Sequence, residues 1–138
     1  MANDTVVRPD QGWMLLRRGA TLSFALLGQV PPTDAKVLVA QGGQSFVSLL
    51  PIQQTFSEFP LQALLPNRNS NAASPLSGDY VRLWSGAAWI NYYYNGAAWF
   101  RVGAGDSSNA VLLKPGRPIY ILRPTGTGSD ILTQTKTY

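Results

Sequence analysis

Histidine and cysteine are both absent from the 138 residues, so the commonest general base, the thiol nucleophile, thiolate metal sites and disulfides are all missing. Any catalysis must come from carboxylates, hydroxyls, tyrosines or lysines. Glycosidic hydrolysis needs two carboxyl groups facing each other across a cleft, and Glu58, Asp79, Asp106 and Asp130 stand at spacings that impose no such pairing. The run Asp106-Ser107-Ser108-Asn109 carries oxygen donors that suit calcium, but with no further acidic residue nearby it reads as a turn. Gly103-Ala104-Gly105 belongs to the same loop and opens no helix, so it makes no phosphate cradle. The expectation is a protein that is not an enzyme and uses no metal or cofactor.

What remains is recognition chemistry. Trp84-Ser85-Gly86-Ala87-Ala88-Trp89-Ile90-Asn91 is echoed ten residues later by Tyr94-Asn95-Gly96-Ala97-Ala98-Trp99-Phe100-Arg101. Gly86-Ala87 and Gly96-Ala97 suit two-residue hairpin turns with glycine first, the type II′ preference, so two successive hairpins form a three-stranded meander. Pairing follows: Trp84 faces Trp89, Leu83 faces Ile90, Tyr94 faces Trp99 and Tyr93 faces Phe100. Because cross-strand partners share a face, one side carries Val81, Leu83, Ile90, Tyr92, Tyr94, Trp99 and Arg101. The other carries Tyr80, Arg82, Trp84, Trp89, Asn91, Tyr93, Phe100 and Val102.

Both sides are aromatic, whereas an antiparallel sheet with one wet face should have one polar side. Something must cover the second side: another sheet of the same domain, a neighbouring subunit or a ligand. Its mixture of large rings with Arg82 and Asn91 has the composition of interface hot spots. Tyr80, Arg82, Trp84, Trp89, Asn91, Tyr93 and Phe100 are therefore the candidate interface platform. Such rings also stack on sugars, which makes glycan binding the second reading.

The elements that must hold this platform are strands. Hydrophobic residues make up 45% and charged residues 13%, and 13 glycines and 10 prolines leave no stretch for a capped amphipathic helix of three turns. Short apolar runs separated by turn clusters predict strands near 12–18, 20–27, 36–40, 44–50, 79–84, 89–94, 98–102 and 118–123. The expected fold is all-β: a single-domain antiparallel β-sandwich or partly open barrel of about eight strands. Residues 1–10 read as an N-terminal arm, 51–78 as a long irregular loop broken by four prolines, and 124–138 as a C-terminal arm able to add a strand to a neighbour. Within the loop, Leu61 to Leu65 is expected to form one helical turn plugging an end of the fold. Residues 7–17 and 113–123 share an order of apolar, basic, proline, three turn or polar residues, four apolar residues and arginine. That order describes a proline-started turn feeding a strand buried on both faces.

The net charge of +4 is scattered, with only Arg17 and Arg18 adjacent, so no electrostatic groove for nucleic acid is expected. The first residues lack a basic and an apolar signal region, and no apolar run approaches membrane-spanning length, so no export address and no membrane span are expected.

Taken together, Gly12-Trp13-Met14-Leu15-Leu16-Arg17-Arg18, Gly78-Asp79-Tyr80-Val81-Arg82-Leu83-Trp84, Tyr92-Tyr93-Tyr94, Trp99 and Lys114-Pro115-Gly116 before Ile119-Tyr120-Ile121-Leu122-Arg123 resemble a paralogous family of β-rich proteins described from Verrucomicrobia. The likeness runs from about residue 10 to 124 and implies no established activity. Members of that family typically look exported, and this chain departs by opening without a signal. At fold level the chain also resembles minor structural proteins of tailed-phage particles such as capsid decoration proteins. The second likeness implies a structural protein of a virion surface, with an extracellular or cell-surface place as the alternative. The expected partners are a second copy of the chain, a larger assembly such as a capsid, or a glycan.

Overall fold

The computed structural model describes residues 18–20, 33–47, 53–66 and 78–135. The expected N-terminal arm, all but Ala20 of the strand near 20–27 and all but Arg18 of the strand near 12–18 lie outside these residues. So do the first copy of the turn-strand repeat, the end of the strand near 44–50 and the polar run at 67–74.

Nine strands and one short 3₁₀ turn make up the described chain: β1 (Ala35–Ala40), β2 (Gly43–Val47), β3 (Gln54–Thr55), the 3₁₀ turn (Pro60–Leu64), β4 (Tyr80–Trp84), β5 (Trp89–Tyr94), β6 (Trp99–Arg101), β7 (Leu112–Leu113), β8 (Ile119–Arg123) and β9 (Ser129–Gln134). All pairings are antiparallel. A five-stranded sheet runs β2-β8-β4-β5-β6, and β1-β9 and β3-β7 form two-stranded ribbons. The inner face of the large sheet contributes Val47, Val81, Tyr92, Trp99, Ile119 and Ile121 to the core. Against them pack Val37, Val39 and Leu132 from the β1-β9 ribbon, with Phe56, Phe59, Leu61, Leu65 and Leu113. The architecture is an all-β sandwich, not a closed barrel.

The meander forms in the register that the two glycine turns require. Trp84 pairs with Trp89, Leu83 with Ile90, Tyr93 with Phe100 and Tyr94 with Trp99. Gly86 and Gly96 both have φ +105°, a conformation that costs an L-residue its Cβ clearance, while no described non-glycine residue has a positive φ. The turns are closed by side chains as well as backbone. Ser85 Oγ accepts the Ala88 N–H at 3.0 Å, and Asn95 Oδ1 accepts those of Ala97 and Ala98 at 2.9 Å each. The sequence echo is thus a repeated device: a short polar residue that caps a glycine turn.

Ile119-Tyr120-Ile121-Leu122 is central, as four consecutive apolar residues imply. Strand β8 lies between β2 and β4, with Ile119, Tyr120 and Ile121 buried. The 3₁₀ turn likewise buries Leu61, and Leu65 just beyond it, as a plug. Around that plug, residues 53–66 include β3 and bury Phe56 and Phe59 completely.

The C-terminal segment differs from its reading as an arm. Residues Ser129–Gln134 form β9, which pairs along its length with β1 of the same chain and buries Leu132 and Gln134. The alternation Leu132, Gln134 inward and Ile131, Thr133 outward is too short to announce its partner, which lies some ninety residues earlier in the sequence.

Strands β1-β2 and β8-β9 cross from one sheet to the other side by side, at a corner made by Gly42 and Gly126. The Gln41 N–H donates to the Gly128 carbonyl at 2.9 Å and the Gly42 N–H to the Thr125 carbonyl at 3.0 Å. Gly42 has φ +63°, and a Cβ there would overlap the Gly126 carbonyl oxygen. Beside the corner the buried Arg123 pairs with Asp130, which also accepts from Gln41 Nε2 at 2.9 Å.

Candidate functional site

Alternation in β4 and β5 sends Tyr80, Arg82 and Trp84 to the outer face together with Trp89, Asn91 and Tyr93. Register then adds Phe100 from β6. The same alternation carries the face across two further strands. Tyr120 of β8 sits opposite Arg82, and Phe46 of β2 sits opposite Tyr120. Neither was found from sequence, because a pairing of β4 with β8 rests on no turn and has no local signature.

These residues do not form a uniform platform. Trp84 is 43% exposed and Phe46 37%, whereas Tyr80 and Tyr93 are buried at 2% and 4%. Arg82, Trp89, Asn91 and Phe100 are half-buried. Trp84 meets Trp89 edge to face at 5.3 Å between ring centroids, and Trp89 approaches Tyr120 at 5.9 Å. Phe46 meets Tyr120 at 4.6 Å. Tyr93 and Phe100 stack at 5.8 Å as a separate pair beside the edge strand. The two buried tyrosines support the face, and the accessible rings are Trp84, Trp89 and Phe46.

Arg82 lies among these rings as the fixed cation of the face. Its guanidinium carbon is 5.1 Å from the Tyr80 ring centroid and 5.4 Å from that of Tyr120. Its Nε–H donates to Asn91 Oδ1 at 2.9 Å and Nη2 donates to the Tyr80 hydroxyl at 3.0 Å. Aromatic stacking and two hydrogen bonds lock the side chain, yet among the described residues it has no carboxylate partner. Beside it, Gln44, Phe46, Trp89 and Tyr120 complete the lining of a shallow groove of about 260 Å³.

Among the described carboxylates, Asp130 and Glu58 are engaged away from this face. Asp130 is held below its usual pKa by the Arg123 hydrogen bond first and by Gln41 second. Glu58 is held down by the Thr55 backbone N–H and then by the Thr55 hydroxyl. Asp79 is buried and has its own partner. Asp106 is exposed in a loop that clamps the edge of the sheet: Asn109 Oδ1 accepts the Trp99 N–H at 2.8 Å, and the Ser108 N–H donates to the Trp99 carbonyl at 2.7 Å. Among the described residues no three metal-ligating side chains come together. On the inner face, burial raises the Tyr92 pKa, with the Arg101 charge opposing it. The arrangement on the outer face can stack flat groups and donate hydrogen bonds.

A smaller apolar feature lies on the opposite layer. Leu38 and Ile131 pair across β1 and β9 and are exposed at 67% and 58%. No described helix is long and apolar enough to cross a membrane. Comparisons of the chain with protein-family models, with curated proteins and with solved structures return no match.

Proposed function

We propose that the chain is a non-enzymatic docking module that joins a larger protein assembly through the outer face of its meander, in the manner of a capsid decoration protein on a virion surface. The observation that carries this reading is the state of that face. Trp84 and Phe46 remain accessible around a locked, half-buried arginine although the other side of the sheet packs a hydrophobic core. Large rings with arginine at the centre of a patch are the residue types that dominate binding energy at protein interfaces. A second copy of the chain is the less favoured partner, because a net charge of +4 on each copy opposes association.

The test is position-resolved photo-crosslinking in the cells or particles that make the protein. A benzophenone side chain at Phe46 or Trp84 is expected to give one discrete adduct, and the same group at exposed Lys114 is expected to give none. Equal adducts from all three positions, or none from any, would contradict the docking reading.

The groove also supports a second reading, a carbohydrate-binding module. Its 260 Å³ suit a single sugar ring, with Trp89 and Tyr120 as stacking walls and Gln44 and Arg82 as hydrogen-bonding edges. A glycan array tests this reading. A sugar signal that survives Trp89→Ala would reject the groove as its source.

A further inference from the structure

We infer that the group received by the outer-face groove is a carboxylate, an aspartate or glutamate side chain of the docked protein flanked by apolar residues, and that Arg82 is the residue that binds it. This rests on the docking reading and specifies the chemistry of its partner. A guanidinium carries five N–H donors in a rigid fork. In Arg82 the Nε–H is taken by Asn91 and one Nη2–H by Tyr80, and Nη1 has no hydrogen-bond partner among the described residues. The two interactions that are made, with the two tyrosine rings stacked on the guanidinium, fix its plane and position. The side chain therefore has little ordering left to undergo when a ligand arrives.

A half-buried cation with no counter-charge is poorly solvated and gains from an anion brought to it. Carboxylate is the anion whose planar oxygens match the fork. Arg123 pairs with Asp130 at the corner beside β9, and among the described residues Arg82 has no carboxylate within ion-pair distance. Phe46, Trp89 and Tyr120 line the groove around Arg82, so the residues flanking the carboxylate must be apolar to cover the rings. The volume of about 260 Å³ admits one side chain of glutamate size with part of a neighbour, and not a bulky domain surface. A basic chain of net charge +4 adds long-range attraction to an acidic partner.

The experiment uses the full chain and a defined probe. The peptide acetyl-Leu-Glu-Leu-amide and its glutamine counterpart are titrated while the indole N–H signals of Trp84 and Trp89 and the Arg82 Nε–H signal are followed by NMR. The glutamate peptide is expected to shift the Trp89 and Arg82 signals saturably, with at least ten-fold tighter binding than the glutamine peptide. Arg82→Gln is expected to erase that preference, and Arg82→Lys, which keeps the charge without the fork, to retain part of it. Equal binding of the two peptides, or no shift with either, overturns the inference. Tighter binding of glucuronate than of the glutamate peptide also overturns it, by making the occupant an acidic sugar. If the Phe46 adduct persists while the carboxylate preference is absent, docking stands and only the carboxylate assignment falls.

Discussion

Replacing Gly42 by alanine tests how the two layers of the sandwich are joined. The φ of +63° is a conformation that costs a residue with a Cβ about 1–2 kcal/mol. The added methyl would also overlap the Gly126 carbonyl oxygen, which is backbone and cannot swing away as a side-chain tip would. Relief requires the two crossing chains to separate, which weakens the Gln41 to Gly128 and Gly42 to Thr125 hydrogen bonds at roughly 1 kcal/mol each. The expected loss is about 3–4 kcal/mol, which at about 4 °C per kcal/mol for a chain of this size lowers the Tm by about 12–16 °C. Gly86→Ala is the matched control. It imposes a comparable backbone strain at φ +105°, but its Cβ meets nothing within 4 Å, so it is expected to cost about 1–2 kcal/mol. Differential scanning calorimetry of both variants decides the matter. If Gly42→Ala unfolds no earlier than Gly86→Ala, the corner is not the suture described here.

Deleting residues 129–138 removes β9 and uncovers Val37 and Val39, so the truncated chain is expected to lose cooperative unfolding by circular dichroism, whereas loss of a mere arm would leave the transition intact. Asn95→Ala strips the acceptor of two turn N–H groups and is expected to cost about 1 kcal/mol in urea titration without changing the meander register. Asp130 and Glu58 are held below their usual values of 3.8 and 4.5, so each stabilises the fold fully above those values and loses that contribution as the pH falls through the lower folded-state value. Stability is therefore expected to be flat from neutral pH to about pH 5 and to decline below about pH 4.5, with a shallower decline in Asp130→Asn.

Legibility in the sequence followed the range of the interactions. Meander pairing could be written down because Gly86 and Gly96 fix the register of strands only four residues apart, and period-two alternation then assigns every side chain to a face. Burial of Ile119 and Ile121 was readable from the unbroken apolar run. The pairing of β4 with β8 and of β1 with β9 was not, since both close long loops without a turn signal, and the short β3 and β7 carry two residues each. For that reason Phe46 and Tyr120 were missing from the candidate face. Tyr80 and Tyr93, placed on the candidate platform, are buried. The surroundings of Arg82 needed coordinates most of all, because composition could place a cation among rings but not reveal that two tyrosines and an asparagine hold it with no acid beside it among the described residues.

The claim beneath all of this is that the accessible outer-face rings are retained for recognition and contribute little to folding. Urea unfolding of Trp84→Ala beside Trp99→Ala tests it most directly. Trp99 is 1% exposed and stacks on Phe56 at 4.4 Å, so its loss is expected to cost about 3–5 kcal/mol. Trp84 makes its edge-to-face contact with Trp89 from the surface, and its loss is expected to cost about 1 kcal/mol. Comparable losses from the two substitutions would make the outer face a second core and contradict the account.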